Sequence, residues 1–148
     1  MPGYLLDTNA LSILAPRPTS RGSPAGSTAF RIWVREHDEQ LFLSVITLAE
    51  IQAGVARLER KGARRRAGDL AHWLNAILEL YESRTLPLSA GAALETGRMI
   101  DRALGAGSTP DFEDAAIAAT AALHQLIVVT ANARDFKHFG VSFIPLPT

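Results

Sequence analysis

The strongest constraint on how this chain can fold is an alternation that runs from end to end. Short apolar runs at Tyr4–Leu6, Leu41–Val45, Leu86–Leu88, Leu126–Val129 and Val141–Ile144 are separated by segments whose apolar residues recur at helical spacing. Unbroken apolar runs of this length suit strands buried on both faces, and strands joined through helices can lie parallel because the connection has room to cross over. The pattern predicts an α/β fold, a three-layer α/β/α sandwich around a central, mostly parallel sheet. Pro87 cannot donate to a ladder, so Leu86–Leu88 belongs at a sheet edge.

The helical segments carry their own boundary signals. Thr8–Leu14 follows the first strand directly, and Ser27 reads as the N-cap of a helix with Phe30, Trp33, Val34 and His37 on one face. Thr47 opens a helix with Leu48, Ile51, Val55 and Leu58 inward, and a further stripe holds Leu70, Trp73, Leu74, Ile77, Leu78 and Tyr81. Ser89 caps a helix with Ala93, Leu94, Ile100 and Leu104 inward, ended by Gly105–Ser108. Thr109 as N-cap and Pro110 at the first helical position start the last long helix, through DFEDAAIAATAALH. Residues 16–27, PRPTSRGSPAGS, lack periodicity and read as a flexible loop.

With 148 residues, 47% of them hydrophobic and 20% charged, the chain can bury one core without staples, so residues 1–148 are expected to form a single domain. The lack of cysteine excludes a disulfide framework, a thiolate zinc site and a cysteine nucleophile. The apolar start is cut off at Asp7, too early for a signal peptide or a membrane span, and the expectation is a soluble cytoplasmic protein with no membrane contact.

Ligands of an open parallel sheet bind beyond the carboxyl ends of its strands. Asp7 follows the first strand, and Glu50 sits in the first turn of the helix after Leu41–Val45. Asp114 lies in the first turns of the helix from Pro110, with Asp111 one turn earlier and Glu113 beside it; Thr130, Asn132 and Asp135 follow Leu126–Val129. Each has a plainer explanation. Asp7 can cap the next helix, Thr47 and Glu50 have capping-box spacing, Asp111, Glu113 and Asp114 can offset a helix dipole, and Asp135 can cap a turn at Phe136.

Taken together the acids ask for more. On a parallel sheet they converge on one edge, where two carboxylates about 4 Å apart repel by about 4 kcal/mol at an effective dielectric near 20. Such a cluster needs protons or a bridging cation. Oxygen donors without cysteine favour Mg²⁺, or Mn²⁺, over zinc, and a site of this kind suits metal-assisted phosphodiester hydrolysis.

Four stretches then become recognisable: YLLDTNALS, SVITLAEIQAG, DAAIAATAALH and VVTANARDFKHFGV, in that order and spread over essentially the whole chain. Together they resemble the PIN-domain ribonucleases, and among them the VapC-type toxins of bacterial toxin-antitoxin pairs. The resemblance implies a metal-dependent endoribonuclease acting on RNA, a homodimer, and inhibition by a cognate VapB-like antitoxin. It carries Asp7, Glu50 and Asp114 onto the family's three acidic metal positions. At the variable fourth position it gives Asp135 a supporting role and Asn132, which stands where some relatives have Asp, a hydrogen-bonding one. Thr8 and Asn9 shape the turn after the first strand, and Thr130 orients a carboxylate. Asp111 shares a face with Asp114, whereas Glu113 points elsewhere.

The formal net charge is zero, but it conceals a segregation. Arg57, Arg60, Lys61, Arg64, Arg65 and Arg66 stand against Glu59 alone within ten residues. This decade is a candidate for holding RNA phosphates near the metal edge or an acidic antitoxin segment; the plainer alternative is a solvated helix end. His37, His72, His124 and His138 have no metal-ligand spacing, and Trp33, Trp73 and Tyr81 fit apolar stripes better than a base-stacking platform. Two rivals stand beside the nuclease reading. One is a non-catalytic PIN-like module that binds RNA or a partner. The other is a phosphotransferase with Asp7 as nucleophile, weakened because no second aspartate follows at the two-residue spacing.

Overall fold

The computed structural model describes residues 2–17 and 27–148. Most of the loop expected at 16–27, namely 18–26, lies outside the described residues. In chain order come β1 (Tyr4–Leu6), α1 (Thr8–Ile13), α2 (Ser27–Glu36), β2 (Leu41–Ser44), α3 (Val45–Arg60), α4 (Arg64–Leu80) and β3 (Thr85–Leu86). They are followed by α5 (Ala90–Gly105), α6 (Phe112–Leu123), β4 (Ile127–Thr130), α7 (Ala133–Phe136) and β5 (Phe143–Pro145).

The five strands form one parallel sheet in the order β3-β2-β1-β4-β5. The α/β/α sandwich expected from the alternation is the observed fold, and the third strand is an edge as expected, though it spans Thr85–Leu86 and Pro87 lies just beyond it. The chain starts at the central strand, moves outward to β2 and β3, and then crosses back to β4 on the other side of β1. The strand order therefore reverses between β1 and β4, the place where an open α/β sheet forms its binding crevice.

Side chains of successive strand residues point to opposite faces, and the register keeps like with like. Leu5 pairs with Val128 and Leu6 with Val129. Leu5 and Val128 pack with Met99, Ala103, Phe136, Phe139 and the alanines of α6 on one face. Leu6 and Val129 pack with Leu11, Phe30, Leu41, Leu43, Ile51, Leu74 and Ile77 on the other. Trp33, Trp73 and Tyr81 belong to this second core, as their stripes indicated.

Helix α6 is buried on all sides from Ala115 to Ala121, the expected condition of a helix that is apolar all round. Its small side chains let α5 approach closely, and this shifts the inward face of α5. Ala92, Thr96, Met99 and Ala103 are buried, whereas Leu94 and Leu104, expected inward, are 66% and 54% exposed. Leu78 of α4 is likewise exposed. A leucine stripe would hold α5 away from an alanine surface, so the smaller residues take the contact.

Two helix starts also differ from expectation. Ser44, not Thr47, caps α3, its Oγ accepting from the Ile46 N–H at 3.0 Å. Asp111, not Thr109, caps α6, its Oδ1 accepting from the Asp114 N–H at 3.0 Å, and Pro110 stays outside the helix. In both cases the residue that caps is the one whose side-chain oxygen reaches a free N–H of the first turn. Among the described residues, no helix is long and apolar enough to cross a membrane.

Candidate active site

Asp7 leaves β1 at the reversal of strand order. Its N–H donates to the Val129 carbonyl of β4 at 3.1 Å, and its Oδ1 accepts from the Ala10 N–H at 2.8 Å, so it does cap α1. Capping alone does not account for its setting, because Asp7 is only 2% exposed and a buried carboxylate is costly. Burial raises its pKa. The Thr130 hydroxyl and the Ala10 N–H oppose the rise, and the charges of Glu50 and Asp135 add to it. Thr130, fully buried at the end of β4, also accepts from the Asn132 N–H at 2.8 Å. Its hydroxyl thus links the β4 exit to the Asp7 carboxylate, whose pKa it lowers.

Glu50 lies in the second turn of α3 and does not close a capping box. Its Oε1 accepts instead from the Thr8 hydroxyl of α1 at 2.5 Å. The Thr8 oxygen also lies 3.1 Å from Thr47 Oγ1. A hydroxyl has a single proton to give, so Thr8 donates to the carboxylate and accepts from Thr47. Thr47 is fully buried, so Glu50 is held through two threonines to the body of the fold. Sequence reasoning missed this role of Thr47; its signal was a position one turn before Glu50 on the same helix face. Burial raises the Glu50 pKa, Thr8 counters it, and Asp111 and Glu113 raise it further. Glu113 was expected to point elsewhere, yet its charge is felt at Glu50.

Asp114 is the third residue of α6, and its carboxyl is pushed up to about 7. Partial burial is the main cause, followed by the charges of Asp111, Asp135, Asp7 and Glu50. The three predicted acids thus feel one another across α1, α3 and α6. Asp135, on α7, acts on both Asp7 and Asp114, whereas Asn132 and Asn9 are exposed, and among the described residues no side-chain hydrogen bond is made by either. Of the two candidates for a fourth position, Asp135 is the one coupled to the cluster.

No three acidic or imidazole side chains among the described residues close into ligand geometry. Their chemistry nonetheless fits a hard divalent cation: the donors are all carboxylate oxygens, and each of the three is pushed toward protonation. Ionised carboxylates without a counter-charge repel one another, and a cation is the charge against which they would close.

The model of the PIN domain family matches residues 4–141. The chain belongs to the PIN family. Over 140 residues this PIN domain is 29% identical to a VapC ribonuclease, Y4jK, of Sinorhizobium fredii, covering 95% of this chain and 94% of that protein. It is similar to FitAcB from Neisseria gonorrhoeae, with a TM-score of 0.76 and 31% identity over 95% of this chain and 96% of that one. It shares its fold with a DNA-bound VapBC from Salmonella typhimurium, with a TM-score of 0.77 and 22% identity over 99% of both chains.

The basic decade of this PIN domain is not at the carboxylate edge. Helix α3 runs away from that edge, so at 1.5 Å per residue Arg57 lies about 10 Å and Lys61 about 16 Å along the axis from Glu50. Closeness in sequence suggested otherwise; a long helix turns that closeness into distance.

Proposed function

We propose that this PIN domain is the toxin of a type II toxin-antitoxin pair, acting in the cytoplasm as a Mg²⁺-dependent endoribonuclease, with Mn²⁺ able to substitute. The observation that carries the reading is the mutual coupling of Asp7, Glu50 and Asp114 at the reversal of strand order. It is supported by the name of the 29% identical relative, a VapC ribonuclease.

Asp7, Glu50 and Asp114 would hold the cation, with Asp135 in support. When bound, the ion supplies positive charge against the phosphate and polarises water for attack on phosphorus. The chain's own residues prepare this. Thr130 and the Ala10 N–H favour the charged form of buried Asp7 against the rise that burial imposes. Thr8, fixed by Thr47, aims Glu50 and favours its charge. Asp114, pushed up to about 7, would release its proton on holding the ion. Without the ion, the same carboxylates would repel an RNA backbone.

The partner in this reading is a cognate VapB-like antitoxin, and the assembly a homodimer with antitoxin bound. Cleavage of a mixed RNA substrate in Mg²⁺, lost in EDTA and in Asp7→Asn and Asp114→Asn, tests the proposal, together with relief of growth arrest on expression. Wild-type rates in either variant would refute it. EDTA-insensitive RNA binding without any cleavage would instead favour the non-catalytic module.

A further inference from the structure

Helices α3 and α4 meet in a tight turn at Gly62, whose φ of +85° is the left-handed conformation that glycine takes without strain. Around this turn stand Arg57, Arg60, Lys61, Arg64 and Arg65, all exposed. Glu59 and Asp69 are close in sequence, yet the only ion pairs among the described residues are Arg84–Asp38 and Arg98–Glu95. Arg66 is the exception within the decade, as it donates to the Pro16 carbonyl.

Helix electrostatics accounts for only part of this patch. Arg57 and Arg60 lie in the last turn of α3, where cations are favoured. Arg64 and Arg65 lie in the first turn of α4, which has no acidic residue and no side-chain cap, so they oppose the helix dipole. Mutual repulsion of the five cations adds to that cost. The arrangement works against the fold and suits a polyanion.

The α3 surface links the patch to the carboxylates. Glu50, Gly54, Arg57 and Lys61 follow one another at spacings of four, three and four residues, one stripe along the helix. Between the acid and the first cation the stripe is bare, since a Cβ at Gly54 would meet nothing within 4 Å.

From this we infer that the α3–α4 tip is a cation-independent binding site for the phosphate backbone of single-stranded RNA, and that the strand reaches the carboxylate crevice along the Glu50–Gly54–Arg57–Lys61 stripe. The inference rests on the nuclease reading for the destination of the strand, but binding at the tip needs neither metal nor hydrolysis. Its signature is salt dependence. Each phosphate neutralised on a single strand contributes about 0.7 to the slope of log K against log salt.

The test uses the triple variant Arg57→Gln, Lys61→Gln, Arg64→Gln, whose changes are all on exposed side chains. Binding of a labelled 20-nucleotide oligouridylate is followed by fluorescence anisotropy in EDTA between 50 and 300 mM KCl, beside a labelled oligoglutamate peptide of equal length. The slope for RNA should fall by about 2, and the affinity at 0.1 M salt by up to about 100-fold, with the circular dichroism of the wild type retained and a melting temperature no lower than the wild type's. An unchanged slope overturns the inference. A loss confined to oligoglutamate also overturns it and assigns the tip to an acidic protein segment. If the wild type binds RNA with the expected slope but cleaves none in Mg²⁺, the nuclease reading fails and the tip stands.

Discussion

Replacing Asp114 by Asn removes one ionisable group from the crevice at nearly constant volume and, among the described residues, breaks no hydrogen bond of the side chain. The carboxyl titrates at about 7 in the folded protein against an ordinary value of 3.8. A raised acid costs the folded state nothing while both states hold the proton, and penalises it once the unfolded chain ionises first. Below about pH 4 it is protonated whether the chain is folded or not, and has no effect on stability. As pH rises toward 7 the unfolded chain releases the proton while the folded one retains it, so stability falls; above 7 the full penalty applies. At 1.36 kcal/mol per pKa unit the interval would be worth about 4 kcal/mol, and solvent screening of a half-buried group reduces this to about 2 kcal/mol.

Asn escapes that penalty. In EDTA, Asp114→Asn should match the wild type near pH 4 and exceed it by about 2 kcal/mol at pH 8, or about 4–8 °C in melting temperature for a domain of this size. Differential scanning calorimetry across pH 4–8 measures both. Mg²⁺ should then stabilise the wild type more than the variant, because only the wild type regains a charge partner for its full carboxylate set. A stability difference that does not change with pH, or a variant less stable than wild type at pH 8, would falsify the account of the crevice as a site of electrostatic strain.

Asp7→Asn keeps a side-chain oxygen for the Ala10 N–H, so the fold should survive while RNA cleavage in Mg²⁺ drops by at least about 10²-fold, read by gel-resolved time courses. Thr8→Val removes the donor to Glu50; Mn²⁺ affinity followed by calorimetric titration should weaken by about 10–100-fold, the range for losing a group that orients a metal ligand. Ala118→Leu places extra methyl groups inside fully buried α6 and should lower stability by about 1–3 kcal/mol in urea unfolding, with no change expected for a conservative exchange at exposed Leu94.

The alternation of apolar runs and helical periods was enough to establish the sandwich, its parallel sheet and its edge strand, because burial on both faces writes itself directly into local sequence. The acids Asp7, Glu50 and Asp114, with Thr130, could be picked out as residues that follow strands, and that placement is a consequence of parallel topology alone. Tertiary structure decided what local patterns leave open. The helix face that α5 turns inward depends on the alanine surface it meets, and the Thr47–Thr8–Glu50 connection spans two helices far apart in sequence. Asp111 became a cap because its oxygen reaches the Asp114 N–H. The length and direction of α3 carried the basic decade away from the acids it adjoins in sequence. Sequence fixes which groups a chain owns and their local period; distance between them in space is set only when the helices pack.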